Sequence, residues 1–92
     1  MLILKQHAVW RMAKRKISLN DVRHVIQKGK VIKEYHDDQP LPSRLILGFS
    51  EGRPIHVVAA NHPDNPGDTH VITVYEPNKI EWDQTFTKRI KP

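Results

Sequence analysis

Residues 53–77, RPIHVVAANHPDNPGDTHVITVYEP, hold a pair of apolar runs separated by a polar loop, and this segment limits what the rest of the chain can do. Ile55, His56, Val57, Val58, Ala59 and Ala60 leave no face built for water, which is how a strand covered on both sides reads. Val71, Ile72, Thr73, Val74 and Tyr75 repeat the pattern with the same β-branched and aromatic preference. These runs belong at the centre of a sheet. Residues 61–68 between them contain prolines and a glycine and read as an exposed loop. Everything else must pair with the central strands or pack over them.

The segments before this centre change period. From Gln6 to about Lys16, His7, Arg11 and Arg15 stand four apart, while Ala8, Val9, Met12 and Ala13 form a neighbouring stripe with Trp10 toward its edge. That is an amphipathic helix. Ser18 followed by Asp21 gives a Ser-x-x-acid start for a second helix, whose buried face is Leu19, Val22, Val25 and Ile26. Gly29 is expected to end it in the left-handed conformation. Residues 30–35 read as a strand, HDDQPLP as turn chemistry, and residues 44–49 as a strand with Leu45, Leu47 and Phe49 on one parity. Ser50, Glu51 and Gly52 make a tight hairpin into Arg53. Leu2 to Leu4 is either a short first strand or an apolar lead-in. Trp82 is expected to close the end of the core, and the basic segment from Thr87 onward to fray.

Runs of helix and strand kept apart in sequence argue an α+β fold: two N-terminal helices packed on a three- or four-stranded antiparallel sheet. The whole chain, 1–92, reads as one domain with a core at 6–84 and a basic tail at 85–92. No cysteine is present, so neither a disulfide nor a thiolate metal site is expected. No stretch has the length of a signal-peptide core or a membrane span, which implies a cytoplasmic protein with no membrane partner. Fifteen Lys plus Arg against ten Asp plus Glu give a formal net charge of +5, a footprint of proteins that meet phosphate or an acidic partner. Oligomeric state is not written in the sequence.

The stripe His7, Arg11, Arg15 aims an imidazole and guanidiniums the same way, a pattern suited to phosphate binding and to proton transfer near neutral pH. Its plain alternative is a solvated face whose arginines pair with Glu34, Asp37 or Asp38. His56, inside an apolar strand, must find hydrogen-bond partners, and burial favours the neutral form that a general base needs. Thr73 and Tyr75 share a face, and Tyr75 either joins His56 in a small polar cluster, which depends on a strand register the sequence does not show, or is an aromatic packing residue with its hydroxyl at the rim. The histidines show no metal-ligand spacing, and no phosphate-cradling or dinucleotide glycine pattern occurs, so no metal and no cofactor are expected.

The segments HAVWRMAKRKIS, VIQKGKVIKEY, LILGF and VITVYEP, followed by Trp82, resemble a family of short bacterial domains known as the domain of unknown function numbered forty-two fifty-eight. The resemblance runs from about His7 to Trp82. Its most specific parts are the His-Ala-x-x-Arg-Met-x-x-Arg start and the Thr-Val-Tyr-x-Pro ending. More distantly, the order of elements and the basic surface look like the RelE, ParE and BrnT type of toxin. That second resemblance implies a metal-independent endoribonuclease acting on RNA and neutralised by an acidic antitoxin protein. In this reading Arg11 and Arg15 hold phosphate, and His7 or His56 moves a proton beside Tyr75. The alternative is a non-catalytic module that binds nucleic acid or an acidic protein through Arg11, Lys14, Arg15, Lys16 and Arg23.

Overall fold

The computed structural model describes residues 1–90. Its elements are β1 (Leu2–Leu4), α1 (Gln6–Arg15), α2 (Leu19–Lys28), β2 (Lys30–Tyr35), β3 (Ser43–Ser50), β4 (Arg53–His62) and β5 (Asn65–Tyr75). They make a five-stranded sheet in the order β1-β5-β4-β3-β2. β1 runs parallel to β5, and every other neighbour is antiparallel. The apolar run of β4 is therefore the middle strand, as its sequence requires.

The α+β class holds, but the sheet is larger and mixed rather than three- or four-stranded and antiparallel, and a strand precedes the helices. Three apolar residues cannot display an alternation, so LIL could not be read as a strand from its own pattern. Its pairing comes from β5: the Thr69 amide donates to the Met1 carbonyl and the Lys5 amide to the Val71 carbonyl, closing the ladder at both ends. The expected loop at 61–68 is also mostly strand. The Asn61 side-chain amide donates to the carbonyls of Pro66 and Asp68 and to Thr69 Oγ1. These bonds tie the hairpin shut, and β5 begins at Asn65 despite its turn-forming composition.

Both helices lie on one face of the sheet. Ala8 and Met12 of α1, Ile17, and Val22 and Val25 of α2 pack against Ile46, Ile55, Val57, Ala59, Val71 and Val74. α2 starts at the capping box: Ser18 Oγ accepts from the Asp21 amide, and the Asp21 carboxylate accepts from the Ser18 amide. Gly29 ends α2 in an extended conformation at φ −77°, not the left-handed one expected. Its requirement is close approach, because a Cβ there would lie 2.3 Å from the Val25 carbonyl oxygen and 2.7 Å from that of Leu47. Left-handed backbone occurs instead at Lys16 (φ 56°), which closes α1, at Phe86 (φ 60°), and in the β3–β4 hairpin at Glu51 (φ 53°) and Gly52 (φ 78°), the pair of positive φ values a tight hairpin turn demands.

The opposite face of the sheet is covered by residues 78–90, a strap without regular secondary structure. Asn78 Oδ1 accepts from the amides of Ile80 and Glu81, which turns the chain back over the sheet after the buried Pro77. Trp82 and Phe86 then pack on Leu45 and Leu47, with Ile32, Tyr35, Val58 and Tyr75 around them. Each large apolar side chain so covered contributes about 1.5–3 kcal/mol. The basic segment folds back as far as Ile90, whose amide donates to the Glu81 carbonyl. Residues 91–92 of the expected tail lie outside the described residues.

Candidate functional site

Where the end of α1, the end of β5 and the strap meet there is a hollow of about 220 Å³, lined by Arg11, Arg15, Tyr75, Glu76, Pro77, Asn78, Glu81, Trp82 and Arg89. Arg53 on β4 lies outside this lining but holds two of its members, Arg15 and Glu76. The Arg53 guanidinium donates to the carbonyls of Arg15 and Lys16 at the C-terminus of α1, and its Nε donates to the Glu76 carboxylate. A cation is well placed there, because the helix ends with unpaired carbonyls and partial negative charge. The same contact ties α1 to β4 and β5.

Three arginines face two glutamates around the hollow, and both carboxylates are engaged. Glu76 is paired with Arg53, and Glu81 lies 3.6 Å from Arg89 Nη1 while accepting from Asn78 Nδ2. Arg89 is held further by its guanidinium lying 5.4 Å from the Trp82 ring centroid. Among the described residues, neither Arg11 nor Arg15 has a carboxylate within ion-pair distance. The Arg11 Nε is shut away from solvent and meets no protein acceptor. Two guanidiniums without counter-charge, on one wall of a concave surface, suit an oxyanion such as phosphate.

Tyr75 and His56 are direct cross-strand partners. His56 is fully buried at 0% exposure, and each ring nitrogen has one partner: Nε2 lies 2.8 Å from the Phe86 carbonyl oxygen and Nδ1 lies 3.1 Å from the Tyr75 hydroxyl. A carbonyl only accepts, so Nε2 carries the hydrogen, and Nδ1 accepts from the Tyr75 O–H. Trp82 stands edge-on to the imidazole at 4.4 Å between centroids and seals it. Burial holds the His56 pKa below the ordinary imidazole value, the Phe86 carbonyl opposes this, and the positive charge of Arg89 adds to the lowering. Burial likewise pushes the Tyr75 phenol up to about 12, with Tyr35 and Glu81 adding to it and Arg89 opposing. The pair is a neutral phenol resting on a neutral imidazole, and only the phenol reaches the hollow.

The sequence candidates are thus divided. Arg11, Arg15 and Tyr75 line one hollow, and His56 stands behind Tyr75 with no access of its own. His7 is exposed and does not line the hollow; its ring lies 6.3 Å from that of Trp10. Steps of four advance about 40° around a helix and about 6 Å along it, so a stripe can begin outside the hollow that its later members line. Arg53, Glu81 and Arg89 were not legible as site residues. Arg89 sits in an aperiodic basic segment, and only the fold-back of the strap brings it to Tyr75. Among the described residues no group of three His, Asp or Glu side chains is arranged to hold a metal ion, and no helix is long and apolar enough to cross a membrane.

A family model described as "Domain of unknown function (DUF4258)" matches residues 4–76, which takes in the last residue of β1, all of α1 through β5 and the hollow's α1 and β5 walls, but not the strap. No curated protein and no solved structure matches the chain.

Proposed function

The chain belongs to the DUF4258 family, whose description names no activity, and from the site's own geometry we propose that it is a metal-independent endoribonuclease of the RelE-like toxin kind. Its partners in this reading are RNA and an acidic antitoxin that covers the basic hollow. The observation that carries the reading is the pair of uncompensated guanidiniums, Arg11 and Arg15, beside a phenol whose proton already points at an imidazole.

In the proposed reaction Arg11 and Arg15 hold the non-bridging oxygens of one backbone phosphate through charge-assisted bonds, which strengthen as charge builds on phosphorus. The ribose 2′-oxygen attacks phosphorus. Its proton passes to the Tyr75 oxygen while the Tyr75 proton passes to Nδ1 of His56. The bond to the 5′-oxygen breaks, and that oxygen takes a proton from water in the open hollow. His56 then returns its proton through Tyr75 to the hydroxide left behind. The products are a 2′,3′-cyclic phosphate and a 5′-hydroxyl. A placed base of this kind contributes typically about 10²–10⁴ in rate. Incubating an RNA substrate with the protein in excess chelator, and analysing the ends, tests it: cyclic phosphate termini are expected, and intact RNA rejects cleavage.

One observation favours a second reading. His56 is sealed under Trp82 with both nitrogens occupied, and its lowered pKa makes it a weak proton acceptor. A hollow that binds backbone phosphate without cutting has every feature needed for that task except a use for the dyad. This reading predicts salt-dependent binding with a slope set by the phosphates bound, and no turnover.

A further inference from the structure

We propose that the outer face of α1 is a stacking plate for an unpaired RNA base, built around Trp10, so that the RNA taken by the hollow is single-stranded. The inference rests on the phosphate-binding reading of the hollow and adds to it the class of nucleic acid. Trp10 is 54% exposed on a helix whose apolar work is done by Ala8 and Met12. The indole belongs to neither core cluster, and its large flat face is what a base requires.

The surroundings of the ring decide which partner fits. The Lys14 ammonium lies 4.7 Å from the Trp10 centroid and the Arg11 guanidinium 5.8 Å. His7 lies 6.3 Å away with its plane tilted by 32°. α1, QHAVWRMAKR, contains no carboxylate. A ring bordered by two cations, with no opposing acid on its helix, is complementary to a polyanion that also carries flat apolar surfaces. Arg11 links the two halves of the site: it lines the hollow and it borders the indole. A nucleotide whose phosphate is held at Arg11 has its base beside Trp10. Lys14 is a long, exposed chain that an incoming base displaces toward the neighbouring phosphate. Bases in a duplex are already stacked and paired, so only an unpaired one offers its face.

The test uses the full chain with four labelled or competing probes: a 2′-O-methyl oligouridylate, which has no nucleophile and is not cut, an RNA duplex of equal length, polyphosphate and polyglutamate. Trp10→Ala is expected to weaken oligouridylate binding about five- to a hundredfold, the range of one base–aromatic stack. It should leave polyphosphate binding unchanged, and Trp10→Phe should recover most of the loss. Oligouridylate, unlike the duplex, should quench tryptophan fluorescence in the wild type, and the quench should be much smaller in Trp10→Phe, where Trp82 is the tryptophan that remains. Equal oligouridylate affinity for wild type and Trp10→Ala, with Arg11→Ala/Arg15→Ala still weakened, overturns the plate and spares the hollow. Parallel loss of polyphosphate binding in Trp10→Ala overturns it as a mere distortion of the helix. A Trp10-dependent affinity for polyglutamate that matches the one for RNA reassigns the face to an acidic protein. Absence of wild-type binding to both oligouridylate and polyphosphate removes the reading on which it rests.

Discussion

Replacing His56 by Phe separates what the buried imidazole does for the fold from what it does for the site. The phenyl ring keeps most of the volume and the edge-on packing with Trp82, but it removes the donor to Phe86 and the acceptor for Tyr75. The Tyr75 hydroxyl can turn to water in the hollow. The Phe86 carbonyl, under the strap, cannot. Leaving one buried acceptor unpaired costs about 1–3 kcal/mol, against a total of roughly 5–14 kcal/mol for a chain of this size. With a urea slope near the lower end of the range, about 1 kcal/mol per molar, the midpoint should fall by roughly 1–3 M.

The pH dependence of that difference is the sharper check. The folded His56 has a pKa below its unfolded value of 6.5. Below that value the unfolded chain binds a proton that the folded chain refuses, so wild-type stability falls as pH drops from 6.5 toward the folded pKa. The Phe variant lacks the group and loses nothing there. The gap between wild type and variant should be widest at about pH 8 and should shrink at about pH 5. Urea titrations of both proteins at each pH measure it. A gap that is absent at about pH 8, or that stays constant between the two conditions, refutes the assignment of His56 as a buried neutral ring holding the strap.

Trp82→Ala removes the side chain that seals His56 and should cost about 3–5 kcal/mol, read as a drop in the urea midpoint, with the strap more exposed to protease. Tyr75, whose phenol is pushed up to about 12 in the folded chain, should make the protein lose stability as pH rises above 10, where only the unfolded phenol ionises; Tyr75→Phe should flatten that loss. Arg11→Ala/Arg15→Ala, which removes one half-buried and one exposed cation that have no ion pair among the described residues, should leave the thermal midpoint nearly unchanged. In a plot of log affinity for single-stranded RNA against log salt, it should lower the slope by about 0.7 for each phosphate that is no longer neutralised. Gly29→Ala places a Cβ against backbone oxygens and should destabilise by about 1–3 kcal/mol, the usual cost of overpacking, as measured by urea unfolding.

The parts of the fold that were legible are those in which one local pattern sufficed. The continuous apolar run of β4 announced cover on both faces, and Ser18 with Asp21 announced the start of α2. Glu51 and Gly52 announced the hairpin. What escaped was set by partners distant in sequence. β1 is a strand only because β5 offers it an edge, and β5 reaches back to Asn65 only because Asn61 bridges the hairpin. Gly29 was assigned the wrong demand, since what excludes a Cβ there is the Val25 carbonyl of its own helix together with Leu47 on another element. The site divides the same way. The spacing of Arg11 and Arg15 put them on one flank of α1, and parity put Tyr75 on the same face as Thr73, but that this is the His56 face came only from the β4–β5 register. The strap that brings Arg89 and Glu81 to them has no periodicity, so nothing in its sequence shows where it lands. His7 shares the arginines' spacing but not their environment, because spacing gives direction around a helix and says nothing of what faces it at each turn.

The claim at the centre is that Tyr75 is the group that meets the ribose, with the arginines holding the phosphate beside it. Single-turnover cleavage of a single-stranded RNA in excess chelator, by wild type and Tyr75→Phe at matched occupancy, tests this most directly. The account predicts cyclic phosphate ends from the wild type, and a loss of about 10²–10⁴ in rate with unchanged RNA affinity in the variant. Cleavage by Tyr75→Phe at the wild-type rate, or a loss that tracks weakened binding alone, contradicts it.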